Sequence, residues 1–302
     1  MARIGYDEPP SSSGMPPLPS EKIGIIGLGL LGAAIAKRLT EAGFAVSGFD
    51  ISEDCRDRLE TLGGQAAKSA PEVAAACRYI IFSLPDSDVV RTVFDEIETT
   101  LQAGSWILDT TTGDPDETVH CGRHLAELGH FYLDATIGGS SKQVVAGEAI
   151  VIVGGDETAF QSCSGILHSV GRHVFHVGPS GSGIRMKLVF NLVLGLNRAV
   201  LAESLAFASR YGLSSSQALE ILKVGSSYSR VMDTKGPKML AHDFTPEARL
   251  SQHLKDVHLI LAAGQSCGAK LPLSELHSRL LADAADLGFG AADNSAIIES
   301  FG

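Results

Sequence analysis

KIGIIGLGLLGAAIAKRLT, residues 22–40, sets a short apolar run, three glycines at Gly27, Gly29 and Gly32, and an apolar-periodic helix in direct succession. A GxGxxG pattern that follows a strand and opens a helix carries more weight than the glycines alone. Gly27 permits the tight turn, Gly29 lets the backbone approach a pyrophosphate, and Gly32 lets the helix press on the strand, while the helix N-terminus offers free N–H groups. The candidate dinucleotide-binding residues are therefore Gly27, Leu28, Gly29, Leu30, Leu31 and Gly32.

Asp50 closes the next apolar run, 18 residues beyond Gly32. A carboxylate there accepts the ribose hydroxyls and repels a 2′-phosphate, which favours NAD over NADP. Asp50 could instead be a turn or cap residue, but Ser52 is better placed to cap the following helix.

Further out, Lys22–Ile26, Ala45–Asp50, Tyr79–Leu84, Trp106–Asp109, Phe131–Asp134, Ala149–Val153 and His173–Val177 read as strands alternating with helices. That alternation implies a parallel sheet with helices on both faces. The pattern changes from Ile184 to Tyr211, which is apolar on nearly every helical face (Met186, Leu188, Val189, Leu192, Leu196, Val200, Leu205, Phe207) and is expected to be a buried helix about 42 Å long, between domains or in a subunit interface. Ser216–Val224, Leu250–Gly264 and Leu273–Leu287 also read as helices. The expected fold is α/β: a Rossmann-type doubly wound sheet over 21–183, followed by an all-α domain over 184–302. Residues 1–20, rich in proline and serine, are expected to form a flexible tail.

Composition narrows the function. The net charge of −11 opposes a polyanion-binding surface, so nucleic acid is not an expected partner. Five scattered cysteines without a CxxC pair suggest a reducing cytoplasm and no metal centre. No run reads as a membrane span or a secretory signal.

A second stretch carries chemistry. GPSGSGIRMKLVFN, residues 178–191, is not a phosphate loop, because no Lys-Ser or Lys-Thr follows its last glycine. It reads as a loop leading into the long helix, with Lys187 and Asn191 one turn apart on one face. A lysine can snorkel to water and an asparagine can pair with backbone. A buried ammonium, however, is costly unless function retains it, and a lysine of lowered pKa can serve as general acid/base in hydride transfer.

On these residues, with DATIGGS at Asp134–Ser140, GxGxxxKxxxN at Gly181–Asn191 and LKDVHLIL at Leu254–Leu261, the chain resembles the β-hydroxyacid dehydrogenase family from Lys22 to near its C-terminus. The resemblance implies Lys187 as acid/base, Asn191 on the substrate, and Leu84, Pro85 and Thr112 at the nicotinamide end. It also implies Lys255 near the cofactor, Gly138, Gly139 and Ser140 on a small carboxylate substrate, and a homodimer or homotetramer joined through the helical domain. The loop departs from the family's DAPVSGG at Thr136, Gly138 and Ser140. Gly138 has no hydroxyl for the substrate carboxylate, and Ser140, Ser141 or Lys142 could supply that hydrogen bond instead. The expected activity is NAD-dependent oxidation of a small 3-hydroxy acid, or reduction of its semialdehyde. The alternatives are an NADPH-dependent semialdehyde or imine reductase and a non-catalytic dinucleotide-binding protein.

Overall fold

Four consecutive buried residues make β1 (Ile23–Ile26) a strand covered on both faces, as central strands of α/β sheets are. The computed structural model describes residues 22–302, so the tail expected over 1–20 lies outside the described residues. The chain divides into two compact units, one ending at Lys187 and the other starting at Leu188.

In the first unit, β1 is followed by α1 (Leu30–Glu41), β2 (Val46–Phe49), α2 (Glu53–Thr61), β3 (Gln65–Ala66), α3 (Ala70–Ala76), β4 (Tyr79–Phe82) and α4 (Ser87–Ile97). Then come β5 (Trp106–Asp109), α5 (Pro115–Glu127), β6 (Phe131–Gly138), α6 (Ser141–Val145), β7 (Ile150–Gly155), α7 (Glu157–Val170) and β8 (His173–His176). They form one eight-stranded sheet in the order β3-β2-β1-β4-β5-β6-β7-β8. Ile26 lies level with Phe49 on one side and Phe82 on the other, and Phe82 with Asp109. The carboxyl ends of β2, β1, β4 and β5 therefore stop at one edge, where open α/β sheets bind ligands.

Three expectations for the sheet need correction. It is not wholly parallel, since β7 runs antiparallel to β6 with Gly138 opposite Ile150. Residues 139–149 are too few for the crossover of about a dozen residues or more that parallel neighbours require. Second, β6 continues four residues past Asp134 because Ala135, Thr136 and Ile137 are buried and pair with β7. Third, β3, two residues long, is an additional edge strand.

α8 (Ser182–Arg210) runs unbroken across the boundary between the units. The second unit continues with α9 (Ser215–Val224), α10 (Val231–Thr234), α11 (Gly236–Ala241), α12 (Leu250–Cys267), α13 (Pro272–Ala284) and a 3₁₀ stretch, Asn294–Phe301. Leu201, Leu205, Leu250, Val257, Leu281 and Ile297 form its core. Arg249 and Asp293 make an isolated antiparallel bridge that ties the C-terminal stretch to the start of α12.

Within one chain α8 is buried on one side only. Leu188 and Leu205 are buried, but Val193 is 54%, Val200 60% and Phe207 63% exposed, and Met186 and Val189 are exposed as well. The buried side carries Lys187, Asn191 and Arg198. α8 is long and apolar enough by composition to cross a bilayer, but its buried polar residues are those of a helix packed within a protein.

Candidate active site

The glycine turn separates requirements of the protein from requirements of a ligand. Gly27 has φ +94°, and a Cβ there would lie 2.3 Å from the Ser83 carbonyl oxygen. A Cβ at Gly32 would lie 2.0 Å from the Gly27 carbonyl oxygen. Both glycines serve the fold. Gly29, at the N-cap of α1, is different: a Cβ there would meet nothing within 4 Å. The space in front of Gly29 is thus open, at a helix N-terminus with no acidic residue in its first turn, which fits the pyrophosphate of a dinucleotide.

Asp50 stands beside that turn. Its Oδ2 accepts the Leu28 N–H at 2.7 Å and its Oδ1 accepts the Ser52 N–H at 2.9 Å, so the carboxylate is fixed to the glycine loop. Arg56 donates to the carbonyls of Asp50 at 2.6 Å and Ile51 at 3.3 Å, steadying the same corner. Ser52 takes the N-cap position of α2, although its hydroxyl makes no capping bond. At the neighbouring strand ends, the Leu84 N–H donates to Thr111 Oγ1 at 3.2 Å, and a Cβ on Gly27 would lie 3.1 Å from the Leu84 side chain. Leu84 and Thr112 are half-buried and Pro85 is exposed, all on the carboxyl edge of the sheet.

β6 organises the chemical end of this unit. Lys187 is only 7% exposed, and its Nζ donates to the Ile137 carbonyl at 2.6 Å. Three residues before Ile137, Asp134 accepts the Gly181 N–H through Oδ1 and the Ile184 N–H through Oδ2, both at 2.9 Å. Burial raises the Asp134 carboxyl to about 6, against the pull of those two N–H bonds. Thr136, where the family pattern has proline, is fully buried and donates its hydroxyl to the Ile152 carbonyl at 3.3 Å. Gly138 ends the strand, Gly139 turns it, and Ser140 caps α6. Ser140 Oγ accepts the Gln143 N–H at 3.4 Å, and Gln143 Oε1 accepts the Ser140 N–H at 2.9 Å. The Ser140 oxygen acts as acceptor in that box, which leaves its O–H as the donor that a carboxylate would need.

In the second unit, Asn191 is 4% exposed and donates from Nδ2 to Asp256 Oδ2 at 2.8 Å. Asp256 Oδ1 in turn pairs with Lys255 Nζ at 3.0 Å. The amide of Asn191 therefore has a fixed sense, and Lys255 belongs to the same network. Sequence alone presents Lys255–Asp256 as a charge pair and does not reveal that Asp256 orients Asn191. Nor does it reveal the bonds from Asp134 to the start of α8, for which the available signal is an acidic residue inside a buried strand. Arg249 takes the N-cap position of α12, while His253 is buried, its ring 5.3 Å from that of His277. Among the described residues no group of three or more His, Cys, Asp or Glu is arranged to hold a metal.

Two family descriptions together match nearly the whole described chain. Residues 22–178 match the NAD binding domain of 6-phosphogluconate dehydrogenase, and 181–301 match the NAD-binding domain of NADP-dependent 3-hydroxyisobutyrate dehydrogenase. The chain is 33% identical to 2-(hydroxymethyl)glutarate dehydrogenase of Eubacterium barkeri, over 93% of this chain and 94% of that protein. It is 30% identical to 2-hydroxy-3-oxopropionate reductase of Escherichia coli, over 92% and 96% respectively. Among solved structures, a 3-hydroxyisobutyrate dehydrogenase from Salmonella typhimurium superimposes with a TM-score of 0.86 at 26% identity, covering 92% of this chain and 99% of that one.

Proposed function

The chain belongs to the β-hydroxyacid dehydrogenase family, and from that premise we propose that it oxidises a small 3-hydroxy acid, or reduces the matching semialdehyde, with NAD(H). The observation that carries this reading is the buried Lys187, held at 2.6 Å by a main-chain carbonyl and set one helical turn before the buried Asn191. Gly27–Gly32 and Asp50 are proposed to hold the dinucleotide, with Leu84, Pro85 and Thr112 toward its nicotinamide end and Lys255 as a further contact. When bound, the nicotinamide supplies a two-electron acceptor for the substrate carbon.

Lys187 performs the proton half of the reaction. In either protonation state Nζ retains an N–H for the Ile137 carbonyl, so the bond orients the amine without consuming its basicity. On oxidation Lys187 takes the substrate hydroxyl proton; on reduction it returns one. Asn191, its Nδ2 engaged by Asp256, offers its carbonyl oxygen to the substrate hydroxyl, and Gly138, Gly139 and the Ser140 hydroxyl are proposed to receive the carboxylate.

The choice of NAD rests on Asp50, whose fixed carboxylate would stand against a 2′-phosphate. The exposed apolar row on α8 is proposed to meet a second copy of the chain. The five free cysteines fit a reducing cytoplasm.

The test is NADH formation with a panel of 3-hydroxy acids. Lys187→Ala is expected to lower kcat by about 10²–10⁴ while NADH still binds. A variant that oxidised at the wild-type rate would remove the lysine from the mechanism, and tighter binding of NADPH than NADH would remove the role of Asp50.

A further inference from the structure

A carboxylate inside a strand of apolar neighbours requires a reason, because burial disfavours its charge. Asp134 is 2% exposed, between Leu133 and Ala135, which are 1% exposed. Its two oxygens each take one N–H from the chain that enters α8: Gly181 from the turn before the helix and Ile184 from its first turn. The first N–H groups of a helix have no partner within it, and a nearby side chain usually supplies one. Here the acceptor comes from a strand 50 residues earlier in the chain.

The surroundings show how closely this contact is built. A Cβ on Gly154 of β7 would lie 2.6 Å from Asp134 Oδ1, and one on Gly183 of α8 would lie 2.5 Å from the Asp134 carbonyl oxygen and 2.7 Å from Oδ2. Both glycines thus make room for strand and helix start to meet at the carboxylate. One turn further along α8, Lys187 returns to the same strand at the carbonyl of Ile137. β6 grips α8 at two points, and the lysine lies at the second.

We propose that Asp134 is a positioning residue for Lys187: its carboxylate, carried on β6, receives the N–H groups of Gly181 and Ile184 at the entry to α8 and so fixes where the lysine amine stands. This rests on the catalytic reading of Lys187. Burial makes the carboxyl harder to ionise in the closed site than in water, so opening of the helix start is linked to the ionisation of Asp134. Asp109 of β5 opposes ionisation of Asp134 and is itself hydrogen-bonded to Tyr132 of β6 at 2.8 Å. Arg185 of α8 lies toward Asp116 of α5 at 3.7 Å, and His176 of β8 is bonded to the Gly155 carbonyl at 2.9 Å.

The test combines hydrogen exchange and kinetics on the full chain. In the wild type, protection of residues 181–187, corrected for intrinsic exchange, should rise as pH drops from 7.5 to 5, because the carboxyl is harder to ionise in the closed site than in an opened one. Asp134→Asn should show protection of this segment that no longer varies with pH, a kcat about 100-fold down, and a dinucleotide KM within about twofold. Protection that does not rise as pH drops in the wild type overturns the inference, and this arm holds even if the variant fails to fold. So does an Asp134→Asn enzyme with the wild-type kcat. A fully active Lys187→Ala enzyme would sink the catalytic reading and this inference with it. An inactive Lys187→Ala beside an undisturbed Asp134→Asn sinks this inference alone.

Discussion

Gly27, Gly29 and Gly32 look equivalent in the sequence, yet they answer to different physical demands. Adding a methyl at Gly32 drives it into the Gly27 carbonyl, so Gly32→Ala is expected to lose several kcal/mol of stability, read as a fall in Tm. Gly29→Ala meets no protein atom, so its stability should change by no more than about 1 kcal/mol. Its dinucleotide Kd should nonetheless rise at least about tenfold, because the methyl fills the space the pyrophosphate needs. Thermal denaturation and NADH titration of the two variants separate the roles; a Gly29→Ala protein that binds NADH as the wild type does would show that the open space is not the phosphate site. The motif was legible because it depends on local chain geometry. Asp134 was not, because what it does depends on a helix start that is distant in sequence.

α8 shows what a sequence reading of an element misses. Its existence and length follow from an uninterrupted apolar, helix-favouring composition, and the observed Ser182–Arg210 differs from the expected Ile184–Tyr211 by two residues at one end and one at the other. Its orientation does not follow, because apolar residues occur all round and a periodicity argument has no contrast to use. The structure supplies it: at 3.6 residues per turn, Val189, Val193, Val200, Phe207 and Tyr211 fall within a stripe about 40° wide, and all are exposed. Lys187, Asn191 and Arg198 point inward beside Leu188, Leu201 and Leu205, while the apolar stripe points outward. If a second copy covers the stripe, Val200→Glu with Phe207→Glu should convert dimer to monomer in sedimentation experiments while leaving the far-UV spectrum intact. A wild-type chain that sediments as a monomer at micromolar concentration would remove the proposed partner. Strand direction was hidden for a similar reason: nothing in the residues of β7 says that the segment before it is too short for a crossover.

At the scale of the whole molecule, two buried carboxylates give stability opposite dependences on pH. In the second unit, burial alone would push Asp293 up, but the Lys235 ammonium, 2.9 Å from both its oxygens, with the Glu247 N–H and Ser295 hydroxyl, holds it down at about 2. A lowered folded-state pKa means stability that is present above the unfolded value near 3.8 and lost as pH falls toward 2. Asp134 has the opposite sign: raised to about 6, it contributes stability below 3.8 that is lost as pH rises through 6. Lowering the pH from 7 to 5 should therefore leave the Asp293 contribution intact while relieving the cost of ionising Asp134, and Asp134→Asn should flatten that part of a plot of Tm against pH. Lys235→Met, which strands Asp293 in the core, should cost about 3–5 kcal/mol by urea unfolding at pH 7. The change in periodicity from Ile184 is the sequence signal for a second unit; the partners of these buried carboxylates carry no such signal, since each contact joins residues far apart in the chain. β6 also sets a constraint on redesign. One eight-residue strand carries the helix anchor, the carbonyl that holds the lysine and the start of the proposed substrate loop, so a loop transplanted from another family member can vary freely only beyond Gly138. An insertion or deletion upstream of that point would shift Lys187, the proposed acid–base group, along with the specificity it was meant to change.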